Sequence, residues 1–336
     1  MTLLVTGGSG LVGTHVLEAL RGRGEPVRVI VREKSRAIVE RFGAEPIVGD
    51  VTDPGVWREA AAGVRGIVHA AALVATRAPY AEFERVNVGG TRLAIEAARG
   101  TGARLVHVSS VAVYGRASAY HAGSGAVGED FPFQPLSPHD YYARTKRMAD
   151  DLVRSDAARG GLTAVAIRPN VIYGERDRLF TAKVITVIRR RVMPRIGSGT
   201  NHLSCVYAGN VASAIVAALD AQVGPAFYAY NVTRDAPSLL TQREFLAAFA
   251  AALGVRVLFV PVPVVVARVG VAIWGPLLRL ARPSRYSGLA GAAVWFIVGD
   301  NPYVSERIRR DLHWTPPFDA RTAIARAVSY WRAQPY

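Results

Sequence analysis

Short apolar runs alternate with amphipathic, helix-like stretches over the first 175 residues. Five runs are typical of buried strands: "LLVT" at 3–6, "VRVIV" at 27–31, "GIVHAA" at 66–71, "RLVHVSS" at 104–110 and "TAVAIRP" at 163–169. Stretches such as "LVGTHVLEALRGRG" and "YAEFERVNVGGTRLAIEAARG" lie between them and have a helical pattern. This alternation predicts an α/β fold in which helices cover both faces of a parallel sheet.

Glycines join the first strand to the first helix in "TGGSGLVG", residues 6–13. The free N–H groups and the dipole at a helix N-terminus favour anions. A side chain on Gly7, Gly10 or Gly13 would crowd a pyrophosphate or the packing of strand against helix. Because the pattern follows a strand and precedes a helix, it predicts a dinucleotide site in a Rossmann-like, doubly wound sheet.

The end of the second strand should select the cofactor. Arg32 and Arg36 in "VIVREKSR" suit the 2′-phosphate of NADP(H), which we take as the preferred cofactor. Glu33 could still bind the ribose hydroxyls, so NAD(H) remains the alternative. Asp50 in "GDVTD" follows another short strand and either accepts from the adenine amino group or caps the next helix.

The stretch "YYARTK", residues 141–146, contains candidate catalytic groups. Positions i and i+4 share a helix face, so Tyr142 pairs with Lys146, whereas Tyr141 points about 100° away. A nearby ammonium lowers the pKa of a phenol, which would make Tyr142 a general acid or base for a carbonyl–alcohol pair. Ser109 and Ser110 end a strand at the same sheet edge; one could bind the substrate oxygen, and the other could satisfy backbone groups.

Seven segments together resemble the extended short-chain dehydrogenase/reductase family along nearly the whole chain: "TGGSGLVG", "GDVTD", "HAAA", "NVGGT", "VSSVAVYG", "YYARTK" and "IRPNVIYG". The resemblance implies a Rossmann-like sheet, a nicotinamide cofactor and a catalytic set of Ser110, Tyr142 and Lys146. It also implies a homodimer formed through the Tyr–Lys helix and its neighbour. Asn87 would organise backbone, and residues 169–171 would wall the nicotinamide. The assigned cofactor contacts are Gly7, Gly10, Leu11, Val12, Gly13, Arg32, Asp50, Val51, Ala70, Ala71, Asn87, Ser109, Tyr142, Lys146, Pro169 and Val171.

The resemblance divides the chain into a dinucleotide-binding domain at 1–175, with strand returns from about 203–232, and a smaller substrate-binding lobe at 176–336. Nucleotide-sugar epimerases and dehydratases usually carry an Arg-Asp pair where this chain has Leu203 and Ser204. Its "VYAGNVA" and "NPYVSERIRRDLHWTPPFDARTAI" instead resemble the 3β-hydroxysteroid dehydrogenase/isomerase branch, which acts on sterols, related lipids and long-chain 3-oxo acids. The expected function is ketone–alcohol interconversion on such a substrate. The alternatives are a nucleotide-sugar enzyme and a non-catalytic NADP-binding sensor.

The run "VLFVPVPVVVARVGVAIWGPLLRL" at 257–280 is long enough to span a bilayer, but its prolines and Arg268 argue against a simple span. An ordinary core helix, a wall of the substrate pocket, and a helix lying on a membrane through 257–285 remain open. The long loop from Gly115 to Tyr142 should shape substrate entry.

Composition adds limits. The single cysteine, Cys205, fits a reducing compartment, nothing resembles a signal peptide, and we expect a cytoplasmic, possibly membrane-associated protein. The net charge of +15 is spread along the chain without a basic arm, which argues against nucleic acid. It indicates a solvated basic surface or a general attraction to anionic ligands. The histidines are scattered singly, with no metal-ligand spacing.

Overall fold

A computed structural model describes residues 2–74, 78–115, 126–203, 205–235, 240–267, 269–270 and 297–334. The strands are β1 Thr2–Thr6, β2 Val27–Val31, β3 Glu45–Val48, β4 Val64–His69, β5 Arg104–Val108, β6 Ala164–Pro169, β7 Val171–Tyr173, β8 Val192–Ile196, β9 Cys205–Tyr207, β10 Phe227–Val232 and β11 Leu258–Val262. The helices are α1 Leu11–Gly22, α2 Arg36–Glu40, α3 Pro54–Ala60, α4 Tyr80–Phe83, α5 Gly90–Thr101, α6 Tyr141–Ala157, α7 Thr181–Ile188, α8 Ala208–Asp220, α9 Gln242–Leu253, α10 Glu306–Leu312 and α11 Ala320–Arg332.

Seven strands form the main sheet, in the order β10-β6-β5-β4-β1-β2-β3, and every pair is parallel. The order reverses at β1, so the carboxyl ends of β1 and β4 flank a crevice of the kind that binds ligands in open α/β sheets. This arrangement confirms the predicted Rossmann-like, doubly wound α/β fold.

Both faces of the main sheet are buried, which is why its strands are almost continuously apolar. On one face, Leu3, Val5 and Val29 pack with residues of α1 and α8. On the other face, Leu4 and Ile67 pack with residues of α3, α5 and α6. Alternate residues of a strand therefore enter two separate cores.

The rest of the chain builds a smaller unit around two parallel pairs, β7 with β9 and β8 with β11. Its core contains Tyr173, Phe245 and Phe249 together with residues of α7, α9 and α11. Strand β10 nevertheless pairs with β6, and α8 packs against α1, so residues after 203 also contribute to the main sheet and its cover. The predicted boundary near residue 175 stays a prediction.

The apolar run at 257–280 begins as a strand and not as a helix. In β11, Phe259 faces the core, whereas Leu258 and Val260 are exposed, so the described start of the run is neither a core helix nor a span. Residues 271–296 lie outside the described part, as does Ser204 and the stretch 116–125 of the predicted entry loop. Within the described ranges, no helix has the length and apolarity that crossing a bilayer requires.

Candidate active site

The glycine loop makes a cradle between β1 and α1. Gly7 has a φ of +70°, and a Cβ built on it would lie 2.7 Å from the backbone of Ala70 and Ala71. A Cβ on Gly13 would lie 2.1 Å from the carbonyl oxygen of Gly7, so the helix and the loop touch through backbone atoms alone. Gly10 precedes the helix and supplies no capping side chain. The first amides of α1, at Leu11, Val12 and Gly13, are consequently available to an anionic group.

Arg32 and Asp50 follow β2 and β3 at the same edge, and both are exposed. The Asp50 carboxylate accepts from the backbone N–H of Thr52 at 2.9 Å and from its hydroxyl at 2.7 Å. The cap of α3 is instead Asp53, whose carboxylate accepts from the Gly55 N–H. The alternative of Asp50 as a helix cap is therefore wrong, and about half of its side chain remains exposed. The backbone carbonyl of Val51 accepts from the indole of Trp57 at 2.8 Å.

Hydrogen bonds from the backbone of the segment after β4 to Thr6 and Asn87 hold this segment in place. The amides of Ala70 and Ala71 donate to the carbonyl and the hydroxyl oxygen of Thr6. Buried Asn87 accepts from the Leu73 N–H at 2.7 Å and donates to the Leu73 carbonyl at 3.1 Å. Asn87 also donates to the Thr145 hydroxyl on α6, so it ties this segment to the helix that carries the Tyr–Lys pair.

Helix α6 starts at Tyr141, because the Asp140 carboxylate accepts from the Ala143 N–H. Tyr141 packs its ring against Tyr80, 5.5 Å away, and has no place at the sheet edge. Tyr142 is half-buried and lies close to the Ser110 side chain. The structure therefore separates the two tyrosines as the helical spacing predicts.

Lys146 is buried one turn after Tyr142. Its ammonium donates to the Val108 carbonyl at 2.6 Å, which places it at the carboxyl end of β5. Burial lowers the pKa of Lys146 to about 8, and the charge of the Asp150 carboxylate opposes that shift. The lysine is thus still mainly protonated at neutral pH.

The two serines at the end of β5 have different surroundings. The Ser109 hydroxyl is buried and donates to the Asp150 carboxylate at 2.6 Å, so it has a protein partner already. The Ser110 hydroxyl accepts from the Ala112 N–H at 3.1 Å and lies close enough to Tyr142 to lower the pKa of its phenol. Ser110 is accordingly the serine that lies beside the phenol, whereas Ser109 belongs to an internal network.

The predicted lowering of the Tyr142 pKa by Lys146 is wrong for this arrangement. Burial raises the pKa of Tyr142 above its usual 10, while the hydrogen bond with Ser110 lowers it and the charge of Asp140 raises it further. The Lys146 ammonium contacts the Val108 carbonyl, and its charge does not contribute to the shift. Tyr142 therefore holds its proton at neutral pH, as a proton donor must.

The residues that end and follow β6 lie at the same carboxyl edge of the main sheet. Pro169 ends the buried strand, and Val171 is 40% exposed. Between them, the Asn170 side chain donates to the Thr233 carbonyl at 3.1 Å and fixes the turn between β6 and β7 against the chain that leaves β10.

A buried ion pair beneath the serines was not identified from the sequence. Asp150 and Arg168 are nearly inaccessible, and two Arg168 nitrogens donate to the Asp150 carboxylate at 2.6 and 3.2 Å. Arg168 also donates to the Tyr114 hydroxyl, which donates in turn to Asn231 on β10. One signal was present in the sequence: Tyr142, Lys146 and Asp150 follow each other at four-residue intervals on one face of α6.

Two buried histidines below Lys146 were also missed. His69 and His107 are paired across β4 and β5, and their rings stack with centroids 5.8 Å apart. Burial lowers the pKa of His69 to about 3 and that of His107 well below its usual value. Both stay neutral and put no second positive charge beside Lys146.

Comparison with known proteins places the chain among nicotinamide-dependent enzymes. Residues 3–233 match the NAD dependent epimerase/dehydratase family. The chain belongs to this family. Membership confirms the predicted extended short-chain dehydrogenase/reductase resemblance and, with the reductases and dehydrogenases among its relatives, an NAD(P)-dependent enzyme class.

The chain is similar to several curated members of this family, and three of them illustrate their range. A 4-hydroxy-2-methyl-3-oxo-4-farnesyl-3,4-dihydroquinoline-1-oxide ketoreductase of Stigmatella aurantiaca is 33% identical, over 93% of this chain and 91% of the relative. A 2-alkyl-3-oxoalkanoate reductase of Stenotrophomonas maltophilia is 32% identical, over 76% of each. A 3 beta-hydroxysteroid dehydrogenase/Delta 5-->4-isomerase of Mycobacterium tuberculosis is 27% identical, over 98% of this chain and 90% of the relative.

Solved structures support the fold. MoeE5 in complex with UDP-glucuronic acid and NAD superposes with a TM-score of 0.72 at 22% identity, over 99% of both chains. A UDP-glucose 4-epimerase of Thermotoga maritima superposes with a TM-score of 0.74 at 18% identity, again over 99% of both chains. At these identities the likeness shows a shared architecture.

Proposed function

We propose that this protein is an NAD(P)-dependent oxidoreductase that interconverts a ketone and a secondary alcohol on a hydrophobic, lipid-like substrate. One observation carries the proposal: Tyr142 lies beside Ser110 and one helical turn from buried Lys146, at the sheet edge that also carries the glycine loop. The apolar substrate class is supported by the relatives, whose names include a farnesyl-quinoline ketoreductase and a 2-alkyl-3-oxoalkanoate reductase.

The residues at the crevice fit a dinucleotide. The backbone cradle of Gly7 and Gly13 leaves no room for a Cβ, which is the property that a pyrophosphate loop requires. The amides of α1 would bind the pyrophosphate, and the exposed carboxylate oxygen of Asp50 would accept from the adenine amino group. Lys146 would bind the ribose next to the nicotinamide, and residues 169–171 would border that ring.

The side chains supply proton transfer and orientation. The bound nicotinamide supplies hydride to the carbonyl carbon in the reduction direction. Tyr142, which keeps its proton because burial raises its pKa, donates that proton to the carbonyl oxygen. Ser110 accepts or donates a hydrogen bond at the same oxygen and fixes its position. Asn87 holds the segment after β4 against α6 through Leu73 and Thr145.

The preference for NADP(H) is part of the proposal. Arg32 directly follows β2 and is exposed. The pKa of the Asp50 carboxylate is lowered: burial opposes the shift, the hydrogen bonds from Thr52 and the charge of Arg85 contribute to it, and the nearby charge of Arg32 adds a smaller contribution. A guanidinium at this place suits the 2′-phosphate, which carries two negative charges near neutral pH. Arg36, by contrast, is paired with Glu40 at 2.9 Å and is less available.

A nucleotide-sugar substrate is the rival within this family. Leu203 stands where those enzymes usually carry a diphosphate-binding arginine, and it is 5% exposed within the core of the smaller unit. Its apolar surroundings favour an apolar residue at this place and offer no cationic contact to a diphosphate. A nucleotide-sugar substrate would therefore find no cationic side chain for its diphosphate at position 203.

The organisation of the chain is proposed in the same way. We place the boundary between the dinucleotide-binding domain and the substrate-binding lobe near residue 175, just after β7, which follows β6 along the chain and pairs with β9 outside the main sheet. We also propose a homodimer through α6 and its neighbour α5, which pack side by side in one layer. Sedimentation equilibrium tests the homodimer, and a monomer at micromolar concentration would exclude it.

A substrate and cofactor panel tests the proposed function. The purified chain is incubated with NADPH or NADH and with long-chain 3-oxo acids, 3-ketosteroids, polar ketones, or UDP-sugars. We expect cofactor oxidation with the apolar ketones and a product identified as the secondary alcohol. Turnover confined to UDP-sugars would establish the rival, and dinucleotide binding without turnover of any ketone or alcohol would indicate a sensor.

A further inference from the structure

Acidic residues are absent from two long parts of the sequence. Between Asp177 and Asp220 the chain has six lysines and arginines and no aspartate or glutamate. Between Glu244 and Asp300 it has five arginines and again no acidic residue. The structure joins these two parts, because β8 belongs to the first, β11 belongs to the second, and the two strands pair in parallel. Arg190, Arg191 and Arg256 therefore lie at the start of this strand pair, in parts of the chain that contain no acidic residue.

Large apolar side chains are exposed at the same place. Leu258 is the register partner of Val192, so both side chains leave the β8–β11 pair on one face, and Val260 lies two residues further along that face. Phe259, on the opposite face, enters the core. The chain then continues into a short helical stretch at 264–267. We call the exposed set the valine face: Val192, Leu258, Val260, Val265, Val266 and Val269.

The exposure of this set is unusual for the molecule. Val265, Leu258 and Val266 are 69%, 66% and 58% exposed, which makes them the three most exposed large apolar residues in the described part of the chain. Val192 and Val269 are each 49% exposed. Exposed large apolar side chains that follow one another along the chain in this way are typical of a contact with another apolar phase or another protein.

Unpaired cations border the valine face. Arg190 and Arg191 directly precede β8, and Arg256 precedes β11 by two residues. All three are exposed, and none of them forms an ion pair with any described residue. Several surface arginines elsewhere do have acidic partners, as in the pairs Arg23–Asp220, Arg28–Glu45, Arg36–Glu40 and Arg85–Glu82. At β8 and β11 the described residues provide no such neutralising partner.

We propose that the valine face docks on the surface of an anionic lipid bilayer. Exposed aliphatic side chains would enter the boundary between headgroups and acyl chains, and the bordering arginines would bind anionic headgroups. A second copy of this chain is a poorer occupant, because a two-fold contact would bring Arg190, Arg191 and Arg256 of both copies together. The proposal does not depend on the catalytic assignment.

Vesicle co-sedimentation tests the docking. The full chain is mixed at low salt with vesicles of phosphatidylcholine alone, or of phosphatidylcholine with phosphatidylglycerol. We expect binding to the anionic vesicles, little binding to the neutral ones, and loss of binding as salt is raised. Wild-type protein that stays in the supernatant with anionic vesicles at low salt would overturn the proposal.

Two variant pairs locate the contact. R190E/R191E should weaken binding to anionic vesicles by about tenfold or more. L258S/V265S should weaken binding by a similar factor, and the binding that is left should depend on salt as it does for the wild-type protein. The controls are R58E, at an exposed position of α3, and V48S on β3, where Val48 is 44% exposed. Equal binding of the face variants and the controls would overturn the assignment of the face. The assignment would also be overturned if sedimentation velocity without vesicles showed that the wild-type protein is a dimer and that L258S/V265S dissociates it.

Discussion

Replacing Asp150 by asparagine should destabilise the protein more than any surface charge change. Asp150 is fully buried and Arg168 is 3% exposed, and their two short hydrogen bonds are the main compensation for the Arg168 charge. Removing one partner of such a pair typically costs 3–5 kcal/mol, because a buried charge is left behind. Asparagine keeps one oxygen that can accept from Ser109 or Arg168, so we expect about 3 kcal/mol.

The measurement is the free energy of unfolding from urea titrations, followed by both fluorescence and circular dichroism. The matched control is Asp151→Asn, because Asp151 is the next residue of α6 and forms an exposed pair with Arg154. We expect little change in the control. A double variant, Asp150→Asn with Arg168→Met, should lose less than the sum of the single changes, because no unpaired charge remains.

An Asp150→Asn protein as stable as Asp151→Asn would refute this reasoning. It would mean that water reaches Arg168 readily in the folded state, and that the pair contributes nothing beyond an exposed one. The structural account of how α6 is fixed to β5 and β6 would then fail as well.

Three further results are expected. Gly13→Ala should abolish dinucleotide binding or folding, because its Cβ would lie 2.1 Å from the Gly7 carbonyl oxygen, whereas Gly22→Ala, which meets open space, should do neither in calorimetric and fluorescence titrations. The wild-type protein should become more stable as pH rises from about 8 to 10.5, because the Lys146 pKa is about 8 in the folded state and the Lys146 ammonium keeps its proton in the unfolded chain across that window. Lys146→Met should remove this rise, and thermal unfolding against pH measures the difference from wild type. Arg32→Ala should raise KM for NADPH by about tenfold or more and leave KM for NADH nearly unchanged, and a parallel rise in both would contradict the 2′-phosphate assignment.

The fold could be predicted from the sequence because local pattern and chain order determine it. Alternating apolar runs and helical stretches specify a parallel sheet, and the glycines between β1 and α1 specify which edge binds the ligand. The i, i+4 spacing on α6 separated Tyr142 from Tyr141 without any tertiary information. These features depend on neighbours a few residues apart.

Features that depend on distant neighbours could not be predicted. Asp150 is 18 residues from Arg168, and Tyr114 is 117 residues from Asn231, so neither contact leaves a local pattern. The pKa of Tyr142 was misjudged because the sequence gives the distance to Lys146 along the helix but not the burial of the phenol, which raises its pKa, nor the Val108 carbonyl that binds the Lys146 ammonium. The strand at the described start of the apolar run from 257 could not be predicted because it pairs with β8, which lies more than 60 residues earlier.

The most direct test of the central claim compares Tyr142→Phe with Tyr141→Phe in the reduction of the best apolar ketone. Tyr142→Phe should lower kcat by a factor of about 100 to 10,000, while the Kd for NADPH stays unchanged. Tyr141→Phe should reduce the ketone at close to the wild-type rate, because Tyr141 packs against Tyr80 away from the edge. A Tyr142→Phe enzyme with wild-type kcat would contradict the account.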